Sequence, residues 1–455
     1  TPTLNVSISQ PIDLQIVMPK KIFNITSKVT CLTLACNAVM ATPIFNKTGL
    51  FPTVPINSTQ NGETPLSVLL SRYTKNVWNR TYNPGAADDA LAATVDSNNN
   101  LYAVGGVGSV DWFIVKLNSN GVSLWNRTYN IGTTDLALGV VTDTSDNTYT
   151  VGQVTNADSD WRIMKHNPNG VSLWNRTYNP SGTDIPRGIT IDTSDNIYVV
   201  GYQNNVDWRI MKLNSNGVSL WNRTYDIGST DRAFGVTIDT SDNIYIVGQV
   251  GAGGAASNWF IMKLNSNGVS IWNRTYNPGT SDVALGVVTD SVNNIYAVGY
   301  QSGVDWRVMK LNSNGVSIWN KTYNLGSTDI ARGVTIDTSN NIYVVGRQTG
   351  ADSDWGIMKL NSNGVSIWNK TYNPGGTDIA KGIAIDTSNN LYVVGDQSAA
   401  DFRIMKLDNS LAYQTCGILD VGQSCLFDWQ INGTSDGAYR IGVYYNSSIV
   451  GIFNV

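Results

Sequence analysis

Trp125-Asn-Arg-Thr-Tyr129 is one of seven copies of Trp-Asn-(Arg/Lys)-Thr-Tyr, which begin at Trp78, Trp125, Trp174, Trp221, Trp272, Trp319 and Trp368. The steps between copies are 47, 49, 47, 51, 47 and 49 residues. A fixed period of this size marks a repeat architecture, in which each unit buries its apolar surface against the next. One unit read outward from the last copy shows the content. Gly333-Val-Thr-Ile-Asp337 is a β-branched run, Thr338-Ser-Asn-Asn341 a turn, and Ile342-Tyr-Val-Val-Gly346 a second run. Trp355-Gly-Ile-Met-Lys-Leu360 is a third, and the turn Asn361-Ser-Asn-Gly364 leads into Val365-Ser-Ile-Trp-Asn-Lys-Thr-Tyr372. Asn-Gly between apolar runs is a strong hairpin signal, because its residues tolerate φ > 0.

Four short strands per unit, apolar on both faces, are what a sheet covered on both sides requires. Seven such units predict an all-β fold, a seven-bladed β-propeller. With the strands lettered a to d outward from the axis, the last unit has a, b and c (Gly382 to Leu407) and no fourth motif after it. The copy at Trp78 has no a, b or c before it. The simplest topology makes Val77–Tyr82 the outer strand of blade 7, beside Phe402–Leu407. The ring then closes without an open edge between its first and last blades.

The flanks have a different texture. Residues 1–72 are rich in Thr, Ser and Pro, with alternating apolar positions at Leu4, Val6, Ile8 and at Leu14, Ile16, Met18. Residues 411–455 alternate through Cys425, Phe427, Trp429, Ile431 and, after a turn at Gly433–Gly437, Tyr439, Ile441, Val443, Tyr445. Each flank is small for an independent core. The chain enters and leaves the propeller at the same hairpin, so the expected organisation is a propeller (73–410) inserted into a β-sandwich. Its halves are 1–72 and 411–455, with 1–10 a possible donor strand; two separate flanking modules are the alternative. All four cysteines, Cys31, Cys36, Cys416 and Cys425, lie in the flanks. An even count without CxxC spacing favours disulfides and an oxidising compartment over zinc. Proximity in sequence favours Cys31–Cys36 and Cys416–Cys425, with a cross-link between the halves still open.

Composition narrows the function classes. Charged residues are 14% and the formal net charge is −4. No Lys/Arg run occurs, which argues against nucleic acid as a partner. Glu63 is the sole glutamate and His166 the sole histidine. The most apolar window, 29–45, is interrupted by Thr30, Thr33, Asn37 and Pro43, so it reads as strands and not as a membrane span. The chain begins Thr-Pro-Thr, from which a removed signal segment and an extracellular location are expected. His166, on strand c next to a turn, has no nucleophile–base context, and no HExxH, GxSxG or P-loop pattern is present. No enzyme activity and no cofactor are expected.

The units resemble the β-propeller repeats of secreted prokaryotic proteins. Gly-Val-Thr-Ile-Asp-Thr-Ser-Asp-Asn-Ile-Tyr-Ile-Val-Gly (235–248) and Trp-Phe-Ile-Met-Lys (259–263) carry the likeness, which extends over 75–407. The stretch from Cys416 to Thr434 resembles the Ig-like domains of archaeal surface glycoproteins. These resemblances imply an extracellular structural or adhesive role, and no catalytic residues carry over.

Thirteen Asn-X-Ser/Thr sequons are possible glycan acceptors: Asn5, Asn24, Asn46, Asn57, Asn79, Asn126, Asn175, Asn222, Asn273, Asn320, Asn369, Asn432 and Asn446. The seven in the repeats count once, since duplication copies them. Six of the nine flank asparagines lie in sequons, where about two would be expected by chance.

Two further patterns recur in every blade. Asp ends strand a (Asp96, Asp143, Asp192, Asp239, Asp290, Asp337, Asp386) and Lys sits near the end of strand c (Lys116, Lys165, Lys212, Lys263, Lys310, Lys359, Lys406). Turn capping with exposed ion pairing, about 0–1 kcal/mol per pair, explains them better than a ring of binding sites. The Asp-Thr-Ser-Asp-Asn turns (192–196, 239–243) lack the alternate ligands, central Gly and distant Glu of a calcium loop, so they read as Asx-turn hairpins and no metal site is expected there, with calcium elsewhere left open.

On the opposite face, one register position of strand a holds Leu91, Leu138, Arg187, Phe234, Leu285, Arg332 and Lys381. Arg187, Arg332 and Lys381 there are candidate contacts for an acidic ligand or sugar. The b–c loops on this face are longest in blades 2, 4 and 6, above all at Val250–Ser257. Thirteen of the fourteen Trp lie at fixed blade positions, where packing between blades is the expected use. The function these observations favour is an extracellular, N-glycosylated structural or adhesive surface protein. It would self-associate, as a filament assembled by strand donation, or bind other surface glycoproteins and glycans. A lectin-like binder using the long-loop face is the alternative.

Overall fold

The computed structural model describes residues 75–409, except 84–86, 109–110, 157, 180–181, 205, 252–256, 278, 280, 303–304, 351, 374 and 399–400. In the flanks it describes the backbone of strands 4–7, 16–18, 22–31, 37–47, 414–415, 424–432 and 437–448. The chain divides into two compact units, one of residues 74–410 and one combining 1–73 with 411–455. Among the described residues every element is a strand, and no helix is long and apolar enough to cross a membrane.

The larger unit is a seven-bladed propeller, each blade a four-stranded antiparallel sheet in the order a-b-c-d. Blade 1 comprises Asp89–Val95, Leu101–Val107, Asp111–Leu117 and Ser123–Tyr129. Blade 2 comprises Thr134–Thr142, Thr148–Thr155, Ser159–His166 and Ser172–Tyr178, and blade 3 Ile185–Ile191, Ile197–Gln203, Asp207–Leu213 and Ser219–Tyr225. Blade 4 follows with Arg232–Ile238, Ile244–Val250, Asn258–Leu264 and Ser270–Tyr276, and blade 5 with Val283–Thr289, Ile295–Gln301, Asp305–Leu311 and Ser317–Tyr323. Blade 6 is Ile330–Ile336, Ile342–Thr349, Ser353–Leu360 and Ser366–Tyr372. Blade 7 takes strands a to c from Ile379–Ile385, Leu391–Gln397 and Asp401–Asp408, and its outer strand from Lys75–Tyr82. That strand pairs in the register Phe402↔Tyr82 to Asp408↔Lys75, so the ring closes as the repeat phasing predicts, with the strand starting two residues earlier.

Packing between blades explains both tryptophan positions. The strand c Trp of blades 1 to 6 is fully buried, and its Nε1 donates to a strand b carbonyl of the next blade: Trp112 to Gln153, Trp208 to Gln249, Trp355 to Asp396, at 2.8–3.1 Å. The strand d Trp carries the Asn-Gly turn of the next blade on its ring. A Cβ on Gly121, at φ +75°, would stand 2.7 Å from the Trp78 ring, and one on Gly170 2.8 Å from Trp125. Glycine is therefore needed at this turn twice over, for φ and for the close approach. Strands b and c are buried along nearly their whole length, while strand d of blade 1 is exposed apart from its half-buried Trp125 and Tyr129.

The Asp and Lys rings are not exposed pairs. In six blades Asp and Lys lie 3.0–3.8 Å apart with side-chain exposures of 11% or less. Strand b shields them, because a and c flank it. Each Asp caps its turn as an Asx turn, Asp143 accepting from the backbone N–H of Ser145 and Asn147. Asp143 also accepts from the Tyr149 hydroxyl. Each Lys spans the junction: Lys165 Nζ donates to Ser215 O of the next blade and lies 4.6 Å from the Tyr149 ring centroid. Breaking a buried pair of this kind costs about 3–5 kcal/mol, well above an exposed one.

In the second unit, Ile22–Cys31 pairs with Leu4–Ser7 on one side and Ser424–Asn432 on the other, a three-stranded sheet. Gly437–Ser448 pairs with Asn37–Lys47 and with Ile16–Met18, and Gln414–Thr415 completes a second sheet of four. Both sheets interleave strands from the two ends of the chain. The side chains of all four cysteines lie outside the described residues, as does Asn57. Asn5, Asn24, Asn46, Asn432 and Asn446 lie on these strands, their side chains likewise outside the described set.

Candidate functional site

Two places in the propeller gather side chains whose presence the packing does not require: the axial mouth and the rim.

The mouth is built from a defect repeated seven times. Strands a and b slip by one residue between Ala90 and Ala92, between Ala137 and Gly139, and at the same position in every other blade. The extra residue of each bulge is Leu91, Leu138, Arg187, Phe234, Leu285, Arg332 or Lys381. A bulge leaves its residue unpaired in the ladder and re-aims its side chain. Here the seven side chains line one cavity of ≈ 140 Å³. The register position singled out in the sequence is therefore the bulge.

The three cations of this ring differ in their surroundings. Lys381 is ion-paired to Asp89 and, at 3.6 Å, to Asp396. Arg187 has no carboxylate partner among the described residues. Its Nη2 donates to the Tyr202 hydroxyl at 3.3 Å, its guanidinium stands 5.7 Å from the Tyr202 ring and 5.9 Å from Phe234, and its Nε is buried without a partner. Arg332 makes neither an ion pair nor a hydrogen bond among the described residues, and its Nε is also buried and unpartnered. Burial and the neighbouring Arg347 hold its guanidinium below the usual range, against the opposing pull of Asp396 and Asp89. The long loop of blade 4 lies partly outside the described residues, at 252–256.

A second Asp ring supports this face, and the sequence reading missed it. Asp88, Asp135, Asp184, Asp231, Asp282, Asp329 and Asp378, at the junction of each d–a loop with strand a, are all at most 1% exposed. Asp231 accepts from the backbone N–H of Ile227 and Gly228 in its own loop and of Gly251 in the b–c loop. Asp282 and Asp378 likewise join Gly279 to Ser302 and Gly375 to Ser398. The signal was present as an Asp at a fixed offset after each Tyr of the motif, preceded by Thr or Ser in blades 2 to 7, but it pointed only to a turn.

The rim is made of the seven d strands. Asn79, Asn126, Asn175, Asn222, Asn273, Asn320 and Asn369 are all exposed. None of their side chains makes a hydrogen bond among the described residues. The Thr two residues on does have a use in the fold: Thr371 Oγ1 lies 2.9 Å from Gln348 Oε1, Thr322 3.2 Å from Gln301, and Thr224 3.3 Å from Gln203. The same outward face carries half-exposed aliphatics, Val122 at 55% and Leu124 at 51% in blade 1, with equivalents in blades 2 to 5. Lys116, Leu124, Trp125, Asn126, Arg127, Pro168 and Asn169 line a groove of ≈ 750 Å³ between blades 1 and 2. Among the described residues no group of His, Cys, Asp or Glu is arranged to hold a metal ion.

Against known proteins, residues 179–205 and 372–403 match the family model of the SBBP β-propeller repeat. The chain is a seven-bladed repeat propeller. No curated protein matches it. Among solved structures, the Pan2 WD40 domain of Neurospora crassa is similar at 11% identity and a TM-score of 0.50, covering 74% of this chain and 96% of that one. A Bacteroides caccae protein of unknown function is similar at 13% identity and TM-score 0.43 over 66% and 98%. A Xanthomonas campestris gluconolactonase is similar at 11% and 0.40 over 72% and 89%. At these identities the likeness is one of fold alone.

Proposed function

We propose that this propeller is the display body of an extracellular, N-glycosylated surface protein with a structural or adhesive role, held by an Ig-like sandwich that the two flanking sheets form. The observation that carries the reading is the rim asparagine. Thr of the repeated motif has a side-chain hydrogen bond in blades 2, 3, 5, 6 and 7, and Arg or Lys covers the Trp ring, as Arg127 does at 5.5 Å. Asn has no such use in any of the seven blades, yet it is present and exposed in all of them. An acceptor for a glycan accounts for it. Glycans there would also cover the aliphatic positions beside them and the unpaired edge of each d strand, which otherwise invites edge-to-edge association.

The test is mass spectrometry of native material. Its intact mass should exceed the 49.4 kDa of the polypeptide, with hexose- or hexosamine-containing peptides at Asn126, Asn222 and Asn320. Those three peptides recovered wholly unmodified would overturn the reading.

A further inference from the structure

We propose that the axial mouth binds a small organic carboxylate with an apolar face, its carboxylate held between Arg187 and Arg332 and its apolar side on Phe234. This site is independent of the rim and of glycosylation.

The argument starts from what the bulge position needs. Leu91, Leu138 and Leu285 occupy it in three blades, so neither the bulge nor the ring requires a charge there. Two arginines without carboxylate partners are therefore a departure with a cost. Both side chains are half-buried with Nε buried and unpartnered, and leaving a charged donor unsatisfied without a bonded counter-charge is unfavourable. Arg332 faces a like charge in Arg347 as well, offset in part by Asp396 and Asp89, which are ion-paired to Lys381 and not to it. Lys381 shows the contrast within one ring: its ammonium is matched by Asp89 and Asp396, and it is neutralised by the fold itself.

The geometry suits an anion shared by two donors. Arg187 and Arg332 belong to blades 3 and 6, so they approach the axis from different sides of one ≈ 140 Å³ cavity. A guanidinium offers a planar fork that matches a carboxylate, and it keeps its charge across the physiological pH range. Arg187 is already oriented by Tyr202 and Phe234, so little side-chain freedom remains to be lost on binding. The mouth offers ≈ 140 Å³ and opens to solvent, so a single small ring can enter it. Four of the seven lining side chains are apolar, which favours an organic acid over a bare inorganic anion. A hexuronate and an aromatic acid share this chemistry.

The experiment is calorimetric titration and thermal denaturation of the full chain with sodium glucuronate and with sodium benzoate. Glucose and benzyl alcohol serve as neutral counterparts, and sulfate as the inorganic anion. At least one acid should bind ten-fold or more tightly than its neutral counterpart and than sulfate, and more weakly as salt is raised. The tighter of the two identifies the source. Arg332→Gln should weaken that acid at least ten-fold, and Arg187→Gln should do the same. Because Arg332 has no partner to orphan, Arg332→Gln should also leave the ligand-free Tm equal to or above that of the wild type. Failure of both acids to bind overturns the proposal, as does sulfate binding as tightly as the acids. Undiminished binding by Arg332→Gln, or a lowered ligand-free Tm in that variant, would show that Arg332 serves the fold.

Discussion

His166 is the residue at which one blade departs from the other six. Strand c ends there in Leu117, Leu213, Leu264, Leu311, Leu360 and Leu407. His166 is fully buried, bonded through Nε2 to the Tyr129 hydroxyl at 2.8 Å, with no partner at Nδ1. Two further buried hydroxyls without partners, Thr148 and Thr150, lie on the strand beside it. Burial, and then the nearby Arg127, lowers its pKa from 6.5 to about 4. The sign follows from proton counts. Between about pH 6.5 and 4 the unfolded chain binds a proton at this ring and the folded one does not, so stability falls as pH falls through that window. At pH 5 the loss relative to pH 7 is on the order of 2 kcal/mol. His166→Leu should remove it: denaturant unfolding of wild type and variant at pH 7 and pH 5 should show the variant's advantage growing at the lower pH. A constant difference between the two pH values would show that the ring titrates normally. Sequence placed His166 on strand c and outside any catalytic grouping. Its burial was legible only from the six leucines at the same register, because a lone histidine reads the same in a turn and in a core.

At the scale of the element, six junctions of the ring use one device and the seventh improvises. The strand d Trp of one blade donates through Nε1 to a c–d turn carbonyl of the next, as Trp78 does to Ser119 at 3.1 Å and Trp319 to Ser362 at 3.2 Å. Blade 7 has no c–d turn, since its strand c leads out of the propeller and its strand d leads in. Trp368 Nε1 accordingly has no partner among the described residues, and the side chain of Asn409 stands in for the missing carbonyl toward Lys359 at 3.2 Å. The junction between blades 7 and 1 lacks the other indole bond, because Phe402 replaces Trp in strand c and stacks edge-on with Phe113 at 5.3 Å. The entering strand, Lys75–Tyr82, must hold both this junction and its own blade: Trp78 seats the Gly121 turn and Arg80 Nε donates to Gly121 O at 2.9 Å. Removing residues 73–82 should therefore lower the calorimetric Tm of the whole propeller by several degrees or abolish its cooperative transition; an unchanged Tm would refute the closure. Four strands per blade and the two-piece closure were legible because repeat phase is a property of spacing. The bulges and the second Asp ring were not, since both depend on which backbone groups meet across loops. Burial of the Asp–Lys pairs was missed for a related reason: sequence shows that two charges recur, but not that strand b and the next blade cover them.

At the scale of the molecule, a closed ring offers no spare edge along its blade junctions, so an assembly of these chains would have to use the rims, the faces or the flanking unit. The rims carry the proposed glycans and the whole chain is only weakly charged, at −4, which leaves the flanking unit as the place where strands could be exchanged. Its first strand, Leu4–Ser7, lies at one edge of the three-stranded sheet and pairs with Ile22–Cys31 over four residues, Leu4↔Cys31 to Ser7↔Lys28. So short a ladder forms few main-chain hydrogen bonds, and its alternating Leu4 and Val6 would present the same side chains if the strand came from a second copy. Donation in trans would reuse this register, with main-chain bonds supplying affinity and alternate side chains specificity. A head-to-tail contact of this type extends into a filament unless its rotation closes. We expect full-length chains at high concentration to form fibres visible by electron microscopy. Chains lacking residues 1–10 should remain monomeric with an unchanged propeller Tm, and excess peptide of residues 1–10 should cap growth of the intact chain. A monomer from the intact chain at high concentration would end the idea. Fibres from the truncated chain would place the contact elsewhere.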